Sequence, residues 1–177
     1  MKTVMISVIV LAILLVSSLA VSAKNKVNNT PASNVVLPLY LGNWYEIARI
    51  DHFFEKGMHN ATASYTLKPN GDVKVINSGW KDDKFRSKEA VAKIPDKTKP
   101  GHLRVSFLRP FYSDYRILKV AEDYSYALVG GSDGRYLWIL SRTPELSDSV
   151  IKALLGEASF RGYDTGRLTW VDQSLSK

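Results

Sequence analysis

Three histidines are the residues of this chain best suited to binding a metal or to acid–base catalysis. His52 and His59 lie in one segment and His102 lies far from them, so no third ligand completes a metal-binding spacing. The chain has no cysteine, which excludes a thiolate nucleophile, a disulfide and a cysteine-held metal. A Gly-x-Ser-x-Gly elbow is absent, although a Ser–His–Asp triad stays open because its members meet only in space. We therefore predict a binding protein that is not an enzyme and needs no metal or cofactor.

Glu46 is a carboxylate in the middle of an alternating apolar segment. Side chains alternate across a strand, so if Trp44 faces the interior, Glu46 and Ala48 do so too. Candidate partners are Tyr65, Asn77, Tyr115 or a cation on a ligand. A buried carboxylate is costly unless it is paired, so we expect a raised pKa for Glu46 unless a cation pairs with it. The alternative is a hydrated Glu46 near an open end.

Short alternating segments separated by turn residues predict an antiparallel, all-β fold. The predicted strands are Asn43–Ile50, Ala61–Leu67, Asp72–Trp80, Ser87–Ile94, His102–Leu108, Tyr115–Ala121, Tyr124–Gly130 and Tyr136–Ser141, with a short last strand at Leu168–Val171. Eight strands are enough for a closed barrel that holds one small ligand. The glycines of Gly130-Gly131-Ser132-Asp133-Gly134 belong to a hairpin turn with no helix after it, so they predict no phosphate loop.

A single helix is predicted at about residues 147–162, after the eighth strand. Ser147 is a suitable N-cap, and Asp148 faces the positive helix end. The apolar residues that recur at helical spacing are Val150, Ile151, Leu154, Leu155 and Ala158. They form one stripe that would pack against the outside of the barrel, and Gly162 would end the helix.

Small residues on the inward faces of the strands predict an interior void. Ala63, Gly79, Ala90, Ala92 and Ala127 stand where a solid core would hold larger side chains. The predicted ligand-binding residues are Glu46, Ala63, Tyr65, Val75, Asn77, Ala90, Ala92, Val105, Phe107, Tyr115, Ile117, Val129, Tyr136 and Trp138. The alternative is an interior filled by large neighbours, which would make the barrel a protein-interaction or structural module.

The N-terminus is typical of an export signal. Residues 1–23 hold a single charge at Lys2, an apolar run and the small residues Val21-Ser22-Ala23 before a cleavage point, although an uncleaved anchor is the alternative. Residues 24–38 are predicted to form a flexible lead-in. Residues 39–174 are predicted to form the barrel domain. We expect export to the periplasm or the outer membrane, without a lipid attached through cysteine.

The formal net charge of +7 suits an anionic membrane surface as well as an ordinary lysine-rich surface. The basic residues are scattered, and an exported protein rarely meets nucleic acid, so no nucleic-acid partner is predicted.

Three segments resemble the lipocalins, over about residues 41–171. They are Gly42-x-Trp44, Asp123-Tyr124 at a turn, and Arg142 at the end of the eighth strand. The resemblance implies an eight-stranded antiparallel up-and-down barrel with one C-terminal helix outside it. It also implies that Trp44 plugs the barrel floor with Arg142 against it, which makes sense as a shielded cation–π pair. These floor residues are structural.

A finer resemblance is to the bacterial branch of the lipocalins, related to apolipoprotein D. The segments that carry it run from Trp44 to Arg49, from Pro110 to Tyr112 and from Tyr136 to Pro144. The resemblance implies binding, storage or transport of fatty acids or lysophospholipids in the cell envelope. Members of this branch are often anchored through an N-terminal cysteine, which this chain lacks.

Aromatic and basic residues in two connections predict the mouth of the barrel. The predicted mouth residues are Phe53, Phe54, Phe111, Tyr112 and Arg109. Aromatic rings beside cations suit a membrane interface or a lid over an acyl chain, and Arg109 or Lys56 would meet a lipid phosphate. The alternative is local packing of each loop on its own strands. A small amphipathic lipid is the expected partner, membrane-surface contact follows from the mouth, and a homodimer stays open.

Overall fold

A computed structural model describes residues 27–52 and 55–176 of the 177-residue chain. The strands are β1 (Gly42–Ile50), β2 (His59–Leu67), β3 (Val73–Lys81), β4 (Lys84–Lys93), β5 (His102–Leu108), β6 (Phe111–Val120), β7 (Tyr126–Gly130), β8 (Leu137–Ser141) and β9 (Leu168–Trp170). Two helices are α1 (Leu37–Tyr40) and α2 (Asp148–Phe160), and short 3₁₀ turns lie at Thr165–Arg167 and Ser174–Ser176. The predicted leader, residues 1–23, lies outside the described residues.

The strands β1 to β8 form a closed antiparallel barrel, as predicted. Each strand pairs with the next one in sequence, and β8 returns to β1. The first half of β1 also pairs with β2, from Gly42 opposite Tyr65 to Tyr45 opposite Thr62, and this pairing closes the sheet. Its second half pairs with β9 instead, where β2 has moved away. Closure pairs most strand edges, but only Val91, Ala92 and Lys93 of β4 pair with β5, so the first part of β4 keeps a free edge on that side of the described sheet.

A β-bulge in β1 changes which residues face inward. Glu46 lies opposite Leu140 and Ala48 lies opposite Ile139, so Ile47 is an extra residue in the strand. The expectation that Ala48 points inward with Trp44 and Glu46 is therefore wrong. Ala48 packs in the cluster outside the barrel, and Arg49 turns into the interior in its place.

The outer face of β1 and of β6 to β8 is covered by α2, which confirms the predicted helix. Ser147 caps it by accepting a hydrogen bond from the Val150 N–H at 3.4 Å, and Gly162 has a positive φ of 88° just after it. Leu154 and Ala158 are fully buried against Leu128 and Ile139 in a second apolar core. The helix thus forms part of an external core that stiffens one wall of the barrel.

Residues 27–36 pack on the barrel, in contrast to the predicted flexible lead-in over residues 24–38. Val27 and Val35 are buried, and the Ala32 N–H donates to the Ile117 carbonyl at 2.8 Å. The Arg161 guanidinium at the end of α2 donates to the carbonyl of Thr30 at 2.9 Å. The asparagines and prolines of this segment are typical of a linker. Its valines are nevertheless buried against the sheet, and its backbone forms hydrogen bonds there.

The half of the barrel that lies toward the floor is solid. Small residues on its strands, including Ala90, Ala92 and Ala127, share one buried cluster with the rings of Tyr40 and Tyr65. Tyr40 belongs to α1 and enters the barrel from below, which the strand pattern did not reveal. In this half the small residues therefore make room for large rings, as the alternative of a filled interior proposed.

Arg142 and Trp44 close the floor. The guanidinium carbon of Arg142 lies 3.7 Å from the centroid of the buried Trp44 ring system, and the Trp44 indole donates to the Tyr40 carbonyl at 2.8 Å. Gly42 has a φ of 95°, and a Cβ there would approach the Arg142 Nη1 to 3.4 Å. Glycine is favoured at this position because side chains strain a backbone with this positive φ, whereas the contact with the guanidinium would be an ordinary one.

The same guanidinium satisfies backbone carbonyls from three segments. The acceptors are the carbonyls of Leu39, Tyr40, Leu41, Asn43 and Tyr124, at 2.6–3.3 Å. The hydroxyl of Tyr124 accepts from the Val36 N–H at 2.7 Å, and the carboxylate of Asp123 accepts from the Ser125 N–H and hydroxyl. These contacts join the β6–β7 turn to the segment that enters the barrel.

The C-terminal segment holds β1 and β2 together where their ladder ends. The side-chain amide of Gln173 donates to the carbonyls of Glu46 and Ala61, each at 2.9 Å. Over the described ranges, no helix is both long enough and apolar enough to cross a bilayer.

Replacing Trp44 by Ala should lower the free energy of unfolding by about 3–5 kcal/mol, the usual cost of truncating a large buried ring. The control is Trp170→Ala, because Trp170 is half-exposed on β9. Urea denaturation of both variants checks this. Equal losses in the two proteins would contradict a floor that depends on Trp44.

Candidate functional site

The half of the barrel nearer its mouth contains two adjoining chambers. The larger has a volume of about 690 Å³ and the smaller about 410 Å³. Both volumes fall within the range of about 300–1,000 Å³ that is typical of small-molecule sites. The residues that line both chambers are Glu46, Glu55, Asn77 and Phe107, so these four mark the boundary between them.

Most of the predicted ligand-binding residues line these chambers. They are Glu46, Ala63, Tyr65, Val75, Asn77, Val105, Phe107, Tyr115, Tyr136 and Trp138. Four others, Ala90, Ala92, Ile117 and Val129, lie in the packed interior cluster and are not among the lining residues. They face inward as the alternation indicates, but the rings beside them leave no space at their positions.

Glu46 forms an ion pair with Arg49 inside the barrel. The Arg49 Nη1 lies 2.6 Å from the Glu46 Oε1, and its Nε lies 2.7 Å from the Asp51 Oδ1. Burial raises the pKa of Glu46, while the charge and hydrogen bond of Arg49 oppose that rise. Burial also works against the charge of Arg49, but Glu46 and Asp51 outweigh it, so the pKa of Arg49 lies above its ordinary value. The partner expected for Glu46 was a tyrosine, an asparagine or a ligand; it is Arg49, which the bulge brings inside.

Arg49 also holds the first connection at the mouth. Its Nη2 donates to the carbonyls of Glu55 at 2.7 Å and of Met58 at 3.1 Å. A guanidinium with every edge engaged in this way is rigid, so the Glu46–Arg49 pair is a fixed wall of the cavity.

Glu55 is a second interior carboxyl, which the sequence pattern did not reveal because it lies in a connection, where strand alternation does not apply. Its side chain is 9% exposed and lines both chambers. The indole N–H of Trp138 donates to its carboxyl, while its Oε2 atom is buried with no hydrogen-bond partner in the described structure. Burial and the charge of Glu46 raise the pKa of Glu55 to about 8, against the opposing effect of Arg49. The carboxyl is therefore mostly protonated at neutral pH.

Three interior tyrosines form a hydrogen-bonded layer where the cavity meets the packed half. The hydroxyl of Tyr115 lies 2.6 Å from that of Tyr40 and 2.8 Å from that of Tyr65. Burial raises the pKa of all three phenols, so they stay neutral. Tyr65 and Tyr115 also line the smaller chamber, so they supply a few polar atoms to a largely carbon surface.

The mouth carries exposed apolar side chains, only some of them as predicted. Phe111 is 73% exposed, but it begins β6 together with Tyr112, so neither residue belongs to a loop. Leu108 and Phe85, at 71% and 59% exposed, join them at the same end of the barrel and were not predicted. Phe53 and Phe54 lie outside the described residues. We call Phe85, Phe107, Leu108 and Phe111 the apolar rim.

Cations accompany the rim. Lys81, Arg86 and Lys88 line the larger chamber, and Arg104 and Arg135 line the smaller one. The sequence predicted Arg109 and Lys56 for this role; both are exposed and neither is among the lining residues. Within residues 27–52 and 55–176, no cluster of three or more His, Cys, Asp or Glu side chains could hold a metal ion.

Comparison with known proteins agrees with this geometry. Residues 35–173 match a family model described as a lipocalin-like domain. The chain is 42% identical over 146 residues to the outer membrane lipoprotein Blc of Escherichia coli K12, covering 81% of this chain and 82% of that protein. It is 41% identical to Blc of Vibrio cholerae, covering 81% and 85%. It is 37% identical to rat apolipoprotein D, covering 76% and 75%.

Solved structures share the fold. Insecticyanin from the tobacco hornworm Manduca sexta aligns with a TM-score of 0.69 at 24% identity, covering 83% of this chain and 85% of that one. H1 crustacyanin from the lobster Homarus americanus aligns with a TM-score of 0.67 at 20% identity, covering 88% and 91%. At these identities the likeness concerns the fold alone.

Glu55→Gln should remove part of the pH dependence of stability. The folded carboxyl titrates near pH 8 and an unfolded one near its ordinary 4.5, so the folded state holds more protons between these values. Stability therefore falls as pH rises from about 4.5 to about 8, and glutamine, which cannot ionise, lacks this loss. Urea denaturation from pH 5 to pH 8 measures the free energy of unfolding of both proteins. The value for Glu55→Gln should increase relative to that of the native protein as pH rises.

The control for this experiment is Glu122→Gln, the same change at an exposed turn on the closed end. Its pH profile should follow that of the native protein. A Glu55→Gln profile parallel to the native one would mean that Glu55 is not buried as a neutral acid.

Proposed function

Since this chain belongs to the lipocalin family, we propose that it binds single-chain amphipathic lipids, namely fatty acids or lysophospholipids, in the barrel cavity. The single observation that carries the proposal is the pair of adjoining chambers above a packed floor. An acyl chain needs an apolar hole with one open end, and Ala63, Val75 and Leu140 contribute such walls to the smaller chamber. The second candidate function is a protein-interaction or structural module with a filled interior. The two chambers argue against it, because they leave much of the upper interior empty.

The charges favour a tail-first orientation of the lipid. Carbon-rich walls lie deep in the smaller chamber, whereas Lys81, Arg86 and Lys88 line the larger chamber near the mouth. A phosphate or carboxylate head group would meet these cations as the tail enters the interior. Burial of methylene groups at about 0.8 kcal/mol each supplies the affinity. No step of this role requires catalysis.

We further propose that the protein works in the cell envelope, in the periplasm or at the outer membrane. Its bacterial relatives carry the name outer membrane lipoprotein, which supports this location. The same name argues against the expectation of a protein without a cysteine-linked lipid, whereas the sequence contains no cysteine. That expectation and the homodimer stay predictions.

Enlarging Ala63 to Phe should block the smaller chamber and weaken lipid binding. The matched control is Ser64→Phe, the same aromatic side chain on the next residue of β2, which faces the other side of the strand. Loss of room for two methylene groups predicts at least about tenfold weaker binding for Ala63→Phe. Displacement of a fluorescent fatty acid measures the affinity of each variant.

Native mass spectrometry of protein purified without detergent adds an independent measurement. Acyl species that co-purify with the native protein and are lost in Ala63→Phe support the proposal. If the native protein carries no lipid and also does not bind fluorescent fatty acids, the proposal is overturned in favour of a structural module.

The apolar rim supports a further part of the proposal, contact with an anionic membrane surface. Lys88 lies 5.5 Å from the ring centroid of Phe107, and Lys93 and Arg104 lie 5.8 Å and 5.7 Å from that of Tyr112. Cations beside partly exposed rings match the charged and apolar layers of a membrane interface.

Replacing Leu108 and Phe111 together by Ser should weaken binding to vesicles of phosphatidylglycerol and phosphatidylethanolamine by about tenfold or more, because both side chains would lose apolar burial in the interface. The control replaces Leu39 and Leu67, half-exposed at the closed end, by Ser. Vesicle sedimentation measures both. Equal binding by the two double variants would exclude the rim as the contact surface.

A further inference from the structure

The boundary between the two chambers presents buried polar atoms that have no hydrogen-bond partner in the described structure. Glu55 Oε2 and Asn77 Oδ1 are both buried without a hydrogen-bond partner in the described structure, and both residues line both chambers. Glu46, whose Oε1 accepts from Arg49, lines the same boundary. A buried polar atom without a partner costs free energy, so this boundary suits a ligand group that donates hydrogen bonds to Asn77 and to the ionised form of Glu55.

The carboxyl of Glu55 has no cation of its own. Arg49 is already paired with Glu46 at the boundary and with Asp51, which is not among the residues that line the chambers. No ion pair is recorded for Glu55 in the described part of the chain, and its carboxyl receives a neutral N–H from Trp138. An anionic ligand group would meet two carboxylates here, while a cationic group would complete the balance.

One aromatic ring lies beside these polar atoms. Trp138 lines the smaller chamber, whereas Phe107 and Tyr136, which also line the chambers, already have Lys88 and Arg135 over their rings at 5.5 Å and 5.7 Å. Ring faces attract cations, most strongly where water is excluded. The unpartnered oxygens and the ring of Trp138 together match an ammonium group. Such a group carries one positive charge and several N–H donors, and it has no hydrogen-bond acceptor.

We propose that Glu55, with Asn77 and Glu46, forms a receptor for a primary ammonium group on the bound lipid. The proposal rests on the proposed function, which supplies the acyl chain, and it deepens that function by naming the head group. A single-chain phosphoethanolamine lipid fits, because its phosphate would lie toward Lys81, Arg86 or Lys88 in the larger chamber.

Binding carries a proton balance that can be measured. The carboxyl of Glu55 releases its proton to solvent when the ammonium arrives, and the carboxylate and the ammonium then form the ion pair. The charged groups facing Glu55 are Glu46 and Asp51, which repel its negative form, and Arg49, which attracts it. Affinity for an ammonium lipid should therefore rise as pH increases from 6 toward 8.

The test compares two lysophospholipids with the same acyl chain on the full chain. Lysophosphatidylethanolamine carries a primary ammonium, and lysophosphatidylglycerol carries a phosphate but no cation. At pH 8 the first should bind at least about tenfold more tightly than the second, as for a buried charge-assisted pair. Glu55→Gln should remove most of that preference by weakening the ethanolamine lipid alone, and Glu122→Gln should keep it.

Isothermal titration calorimetry of the native protein in phosphate and in Tris buffers gives a measurement that needs no variant. Proton release makes the apparent enthalpy depend on the buffer for the ethanolamine lipid and not for the glycerol lipid. Equal affinities for the two lipids, with equal effects of Glu55→Gln on both, would overturn the receptor and leave the proposed function standing. Failure of both lipids, and of fluorescent fatty acids, to bind would overturn the two together.

Discussion

The contact of Arg142 with Trp44 closes the floor, and the cavity above depends on it. One guanidinium covers the indole and donates hydrogen bonds to carbonyls of α1, of the start of β1 and of the β6–β7 turn. Backbone carbonyls left without donors in such a place would be costly, so one side chain stabilises three separate segments. A closed, rigid floor allows the opposite end of the barrel to stay open without loss of the fold.

The lower half of the barrel interior serves stability, and the upper half serves function. The lower half is filled by rings and small residues packed together, and the tyrosine layer ends it. In the upper half, Glu46 is paired with Arg49, and burial together with the charge of Glu46 keeps the neighbouring Glu55 neutral. Well-packed apolar residues would serve stability better than such a cluster, which is why the cluster is better explained by a ligand.

Two regions of the outer surface also differ in role, one serving stability and the other serving function. The helix α2 covers one wall, where Leu154 and Ala158 complete an external core. The mouth instead leaves Leu108 and Phe111 in solvent beside basic residues. Exposed apolar groups are unfavourable in isolation, so their grouping at the open end of the cavity fits a surface that meets lipid before the interior does.

The sequence by itself determined the strands, their closure into a barrel, the helix and most of the cavity wall, because alternation, turn residues and helical spacing are local patterns. Tertiary structure alone decided three features of the site. The bulge at Ile47 turned Arg49 inward, Tyr40 entered the barrel from α1, and Glu55 points from the connection between β1 and β2 into the interior. Each depends on partners distant along the chain or on a one-residue register shift. A shift of one residue reverses every later side chain of a strand, and no local pattern records it.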